Sequence, residues 1–345
     1  MLRSIFSKPY SRLFIVGDNS GWSTDIDAKD LKNFADRNDV KARIIRRAFL
    51  NLPQIVHYTS QFSLLLNIYK SKHRLSLDYF HGKPEQGENF RRCFEALKNH
   101  RDQIKAVRVS TKEMENRLSE ILGQQKVTCI PIGVDLKLFK PRTENNKLTR
   151  RKVFNIPQDA IVIGSFQKDG SGWREGMEPK LIKGPDIFLK VIENLKADFP
   201  KLHILLSGPS RGFMKAGLEK INVPYTDLGY VEFRAIPELY DALDLYLITS
   251  REEGGPKAVL ESMAKGVPLV TTAVGQAVDL VKNGQNAMMA PIEDIGMLTK
   301  LSTTILSDPE LGKHLVKEGF KTAQENSLES QIHLWKEYFK KLFNA

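Results

Sequence analysis

Ser250-Arg-Glu-Glu-Gly-Gly-Pro-Lys-Ala-Val-Leu-Glu261 is the stretch whose reading decides this chain. The run before it, Leu243 to Ile248, is short, apolar and bounded by Asp and Ser, the pattern of a buried strand. Pro256 to Lys265 reads as a helix, because proline suits a first helical turn and Gly266 suits a stop. A further strand, Val267 to Thr272, follows at once. Glu253 therefore falls in a strand-to-helix loop, and Gly254 and Gly255 lead into a helix N-terminus. There the unsatisfied backbone N–H groups and the helix dipole favour an anion. Glycine lets that backbone approach a bulky phosphate. Glu261, about one and a half turns into the helix, offers a carboxylate that can accept from two hydroxyls of a sugar or ribose.

A glutamate, seven residues and a second glutamate, set in a strand, a Gly-rich loop and a helix, resemble the signature of retaining glycosyltransferases of family four. The resemblance implies an α/β chain of GT-B fold, with two doubly wound Rossmann-like domains facing a central cleft. It implies a nucleotide-sugar donor, with Glu261 on the ribose and Glu253 beside the donor sugar. Lys257 joins Gly254 and Gly255 among the donor-binding residues.

The chain of 345 residues is long enough for two domains. No apolar run reaches the ~20 residues of a spanning helix, and no signal-peptide core precedes the first strand. Two cysteines, Cys93 and Cys129, lack metal or redox spacing. These features predict a cytoplasmic protein without a structural zinc site or disulfide framework. The net charge of +11 is uneven: residues 1–150 hold 28 basic and 16 acidic side chains, the remainder 24 and 25. A basic half speaks about partners rather than fold. An anionic membrane surface or an acidic acceptor fits it, and no nucleic-acid-binding motif accompanies it.

Strands alternate with helical patterns in the first half, which predicts a parallel sheet. Leu13 to Val16 is a strand running into Gly17-Asp-Asn-Ser-Gly-Trp22, so Gly17, Asp18 and Gly21 lie where open α/β sheets bind ligands. The resemblance puts them on the acceptor side, and a plain tight turn is an equal alternative. Asp30 to Leu50 reads as a helix whose Lys41, Arg43, Arg46 and Arg47 form a basic face. Gln54–Tyr58 and Leu75–Phe80 are strands, and His57, flanked by apolar residues, reads as a core histidine. His81 follows the second of them, where the resemblance implies a histidine near sugar and acceptor able to exchange a proton near neutral pH. Pro131-Ile-Gly-Val-Asp135 resembles the close of the family's first domain. The domains are then read as 1–142, a polar linker 143–152, and 153–329, with a helix over 330–345 packing back on the first.

Ile161 to Phe166 opens the second sheet, and Lys183-Gly-Pro opens a helix from Asp186 to Leu195. The family holds the donor diphosphate with an arginine after the first strand and a lysine before a glycine. Lys183 matches the lysine; no arginine follows Gly164, which leaves Lys168, a point charge without the bidentate fork. Gly208 ends the next strand and matches the family's strand-end glycine beside the nucleotide, and Arg211 reads as an exposed loop residue, with a phosphate contact as the alternative. Tyr230 and Val231 correspond to the step near the base, or else to a buried strand. Gln276 replaces one of the family's paired glycines, and helices are expected from there to the end.

The resemblance implies transfer of a sugar to an acceptor hydroxyl, on a glycan or a lipid-linked acceptor, with retained configuration. No Asp-x-Asp pair suggests a metal, and no cofactor is expected beyond the donor. A sugar phosphorylase or epimerase on the same architecture, or a non-catalytic sugar-nucleotide-binding protein, remains open at this point.

Overall fold

The computed structural model describes residues 10–17, 23–46, 53–65, 73–172 and 174–344. The chain divides into two units, Met1–Pro131 with Leu328–Ala345, and Ile132–Ser327. In chain order the first holds β1 (Leu13–Val16), α1 (Ser23–Arg37), β2 (Ala42–Ile45), β3 (Ile55–Tyr58), β4 (Arg74–Asp78), α2 (Glu88–Asn99), β5 (Ile104–Val109), α3 (Lys112–Leu122) and β6 (Val127–Cys129). The second holds α4 (Glu144–Val153), β7 (Ile161–Phe166), α5 (Pro185–Asp198), β8 (Leu202–Ser207), α6 (Gly212–Lys220), β9 (Tyr225–Asp227) and α7 (Ile236–Asp241). It continues through β10 (Leu245–Ile248), α8 (Ala258–Lys265), β11 (Leu269–Thr272), α9 (Ala277–Leu280), β12 (Met288–Ala290), α10 (Ile295–Ser307) and α11 (Pro309–Glu325). The last helix, α12 (Ile332–Phe343), returns to the first unit.

Each unit is built on a six-stranded sheet among the described residues, in the orders β2-β1-β3-β4-β5-β6 and β12-β11-β10-β7-β8-β9. The paired strands are parallel throughout, with Val16 opposite Tyr58 in one sheet and Ile163 opposite Ile204 in the other. Parallel sheets are covered on both faces, so their strands are apolar without alternation; every residue of β3 and β8 is buried. In the first unit one face carries Phe94, Leu97 and Leu118, and the other carries α1 and α12, where Phe34 stacks on Trp335 at 5.0 Å. His57 lies in this core, with Nδ1 3.0 Å from Ser76 Oγ and Nε2 3.4 Å from Asp78.

Two expected elements differ. The helix expected over Asp30–Leu50 is α1, ending at Arg37. Asn38 and Asp39, the latter at φ 57°, turn the chain into β2, which pairs with β1. Val40, Ile44 and Ile45 are β-branched and favour that strand, which places Lys41, Arg43 and Arg46 exposed along a sheet edge. Arg47 and Leu50 lie outside the described residues. The linker expected over 143–152 is instead α4, opened by a capping box between Thr143 and Asn146. Its Arg151 is buried, reaching the carbonyls of Ala242, Gln158 and Ala160 and, at 2.6 Å, the Asp244 carboxylate. Polar composition suggested a linker, but a guanidinium saturated in this way is part of the second unit's interior. The division accordingly falls after Pro131, because Val134 already bridges Ser327 within the second unit. Strand β12, hidden in a stretch expected to be helical, closes the second sheet beside β11.

Candidate active site

In the second sheet the strand order reverses between β7 and β10, a switch point at whose carboxyl ends α/β sheets bind ligands. The loop after β7 carries Lys168, and the loop after β10 carries Glu253, Gly254 and Gly255. A 3-10 turn, Leu181–Lys183, joins them ahead of α5. Gly184 makes this possible: at φ 64°, an added Cβ would lie 1.9 Å from the Thr249 carbonyl oxygen at the end of β10. Thr249 Oγ1 donates to the Gly184 carbonyl at 2.8 Å, locking the approach.

Lys183 is brought onto Glu253, Nζ to Oε1 at 2.5 Å, and Ser250 Oγ donates to the same oxygen at 2.9 Å. Both side chains of the ion pair keep partial solvent access, 23% for Lys183 and 15% for Glu253, so an incoming anion can compete for the lysine. Lys180, passed over in the sequence, is the third cation here. Burial first, then the charges of Lys183 and Lys168, hold it below the usual lysine range, while Glu253 opposes the shift. Its position three residues before Lys183 is the signal, since a 3-10 turn aligns residues three apart. Three neighbouring lysines with one carboxylate favour a doubly charged anion.

Arg251 was also passed over. It takes Asp186 in a fork at 2.8 Å on each arm, the Leu181 carbonyl at 2.6 Å and Glu293 at 2.5 Å. It thereby fastens the Glu253 loop to the Lys183 turn and to the start of α5. Gln276, where a glycine was expected, ties residue 132 into the loop. Its Oε1 accepts from Ile132 N at 2.8 Å, and its backbone N–H donates to the Gly254 carbonyl at 3.1 Å. An added Cβ on Gly255 would meet Ile132 Cδ1 at 2.6 Å, so glycine there serves packing as well as access.

Glu261 lies on α8, nearly buried, and accepts from Tyr240 Oη at 3.0 Å. Burial pushes its carboxyl up to about 7, against the opposing pull of Lys257 and the Tyr240 hydrogen bond. Lys257 stands 5.9 Å above the Phe233 ring. Gly208, at φ 111°, packs against the Gln167 carbonyl, 2.6 Å from where a Cβ would be. Tyr230 is 58% exposed on a turn at Gly229, so the strand alternative for this step fails; Val231 packs on the core. An exposed ring on a rigid turn can stack on a base. Arg211, expected on the surface, is buried at 2% exposure instead.

His81 and Gly17 belong to the first unit. His81 follows β4, its carbonyl accepting from Gln61 Nε2 at 3.0 Å and its ring edge-on to Phe90 at 5.5 Å. Gly17 ends β1 against Asp25, and Asp18 and Gly21 lie outside the described residues.

Two doubly wound parallel units with such a switch-point site define the GT-B class of α/β proteins. Residues 178–322, all within the second unit, match the model of the family described as glycosyl transferases group 1. The chain is 27% identical over 218 residues to D-inositol 3-phosphate glycosyltransferase 1 of Catenulispora acidiphila, covering 58% of this chain and 48% of that protein. It is 26% identical over 190 residues to the lipopolysaccharide core biosynthesis mannosyltransferase LpsB of Rhizobium meliloti, covering 52% and 51%. The chain spans about half the length of the curated relatives it matches. In fold it is similar to HepE from Anabaena in complex with UDP-glucose, with TM-score 0.76, 15% identity and coverage of 96% and 99%. Sucrose-phosphate synthase from Thermosynechococcus elongatus gives TM-score 0.76 at 14% identity, over 97% and 99%.

Proposed function

We propose that this chain is a retaining glycosyltransferase that moves a sugar from a nucleotide-sugar donor to an acceptor hydroxyl in glycolipid or polysaccharide synthesis. The observation that carries the proposal is the Lys183–Glu253 pair at the switch point of the second sheet, with Lys168 and Lys180 beside it. As the sugar leaves, negative charge builds on the diphosphate. Lysines already positioned there stabilise the transition state more than the bound donor, which is the condition for catalysis. Release of Lys183 from Glu253 to the diphosphate leaves the Glu253 carboxylate beside the donor sugar, where it can hold hydroxyls. Glu261 takes the ribose hydroxyls, and Tyr230 and Val231 take the base. This scheme works without a metal ion, since the lysines supply the countercharge.

The first unit is assigned the acceptor, with His81 exchanging a proton with it. A lipid-linked acceptor on an anionic membrane is supported by the basic excess of residues 1–150 and by the relatives named for inositol phosphate and lipopolysaccharide core chemistry. The contact proposed is a peripheral one, and no helix among the described residues is long and apolar enough to cross a membrane.

A thermal-shift screen of UDP-, GDP- and ADP-sugars tests the reading. A ligand at about a hundred times its dissociation constant stabilises by ~2.7 kcal/mol, an easily measured rise. If no nucleotide sugar raises the transition at millimolar concentration, the donor assignment is wrong.

A further inference from the structure

The loop from Gln167 to Lys180 carries two of the three lysines, and its described residues include no helix or strand. A loop this long needs something to hold it, and like charges resist being gathered. The structure supplies one group. The buried Arg211 guanidinium donates to the Gln167 carbonyl at 2.5 Å, the Ser207 carbonyl at 3.3 Å and Ser165 Oγ at 3.1 Å. Its Nη2 lies 3.3 Å from the carboxylate of Asp169, and both side chains are at most 1% exposed. Gln167 and Asp169 are the residues on either side of Lys168, so one guanidinium holds the backbone carbonyl before that lysine and faces the carboxylate after it.

The hold extends to the other lysines. Lys180 N–H donates to the Asp169 carbonyl at 2.7 Å, Lys183 N–H to the Lys180 carbonyl at 2.8 Å, and Gln167 Nε2 to the Lys183 carbonyl at 3.2 Å. Two glycines seat the loop on the turn that bears Arg211. An added Cβ at Gly170 or Gly176 would lie 2.2 Å or 2.3 Å from the Ser210 carbonyl oxygen. Gly212 and Phe213, at the start of α6, donate to the carbonyls of Glu175 and Gly176 at 2.6 Å and 3.0 Å.

We infer that the buried Arg211–Asp169 pair is the positioning element of the lysine cluster, holding Lys168 and Lys180 beside Lys183. A buried ion pair adds little net stability, but it strongly disfavours any arrangement that separates its members. That suits a loop whose geometry matters more than its contribution to folding. Arg211 touches no substrate in this scheme; it acts through the loop. The inference rests on the donor reading given above.

Calorimetric titration of the full chain with UDP, GDP and ADP, each against its monophosphate, tests it. The variants are the double Arg211→Met/Asp169→Asn, which leaves no buried unpaired charge, and Arg211→Lys, which keeps a cation against Asp169. For the nucleotide that the parent binds, the affinity gained from the second phosphate should fall about tenfold in the double variant. Monophosphate affinity should move less than about twofold, and Arg211→Lys should recover part of the gain. Amide hydrogen exchange should rise across 167–183 and stay unchanged in β8 and β10. An unchanged gain, or equal weakening of both nucleotides, overturns the inference and leaves the donor reading intact. A parent that binds none of the three diphosphates overturns the donor reading itself, and this inference with it. If the double variant does not fold, the same comparison on Arg211→Lys decides, and a full second-phosphate gain there with a loosened loop counts against the pair.

Discussion

Replacing Glu261 with glutamine should make the empty protein more stable at alkaline pH while weakening its hold on a nucleotide sugar. The carboxyl is raised from 4.5 to about 7 by burial. A raised carboxyl favours the folded state below its ordinary value, and that advantage is lost as pH rises through the folded value. Above about pH 7 the folded protein keeps a buried charge that the unfolded chain would hydrate. At ~1.4 kcal/mol per pH unit the difference amounts to about 3 kcal/mol by pH 8, and to about 1 kcal/mol at pH 5. Glutamine is nearly isosteric, accepts the same Tyr240 hydrogen bond at Oε1, and carries no charge to desolvate. Scanning calorimetry at pH 5 and pH 8 should therefore show Glu261→Gln gaining on the parent as pH rises, by roughly 2–4 °C per kcal/mol for a unit of this size. Titration with the matching nucleotide sugar at pH 8 should show a loss of about 1.5–3 kcal/mol in affinity, the cost of removing a charged acceptor from hydroxyl donors. Parallel melting of variant and parent at both pH values would refute the buried-charge argument. Unchanged affinity with the expected stability gain would refute only the ribose assignment.

Lys183→Ala should lower kcat on the order of a hundredfold, the scale of one electrostatic donor to a developing charge, with little change in melting temperature; near-normal kcat with a clearly lower melting temperature would make the residue structural. Gly184→Ala should be severely destabilising, because its Cβ would sit 1.9 Å from the Thr249 carbonyl oxygen in a left-handed backbone; a calorimetric transition within about a degree of the parent would contradict that packing. Lys41, Arg43 and Arg46 lie exposed along or beside edge strand β2 with Ile44 at 40% exposure, and each basic residue near an anionic surface contributes about 1 kcal/mol. Co-sedimentation with anionic but not neutral vesicles, lost in high salt and in the triple glutamine variant, is expected; equal partitioning of variant and parent would remove the membrane proposal.

Much of the second unit was legible because its signals are local. Strand β7, bounded as expected at Ile161–Phe166, is a short apolar run in a parallel sheet, and helix α8 stops at Gly266, which adopts the left-handed conformation that glycine favours. Lys183 and Glu253 were named through the family resemblance carried by Lys-Gly-Pro and Glu-Glu-Gly-Gly, and the structure pairs the two side chains. The first unit was read less well at α1 and β2, where a run of basic and apolar residues fits a helix and an edge strand about equally; pairing with β1 decides for the strand.

What the sequence by itself determined is the alternation of strands and helices that makes a parallel α/β fold, and in the second unit the succession of β7, α5, β8, α7, β10, α8 and β11. These depend on local periodicity and on glycine and proline, whose conformational effects act within a few residues. Only the tertiary structure decided what long-range partners do with a charge. Arg211 and Arg151 read as surface residues and are buried, because carbonyls and carboxylates distant in sequence converge on them. Glu261 read as a hydrogen-bond acceptor, and its raised carboxyl came from the apolar environment that closes around it. Lys180 was passed over in the sequence, and the turn at Lys183 places it where the charges of Lys183 and Lys168 act on it. The free energy of a charge is set by the dielectric and the partners around it, and those are properties of the folded chain.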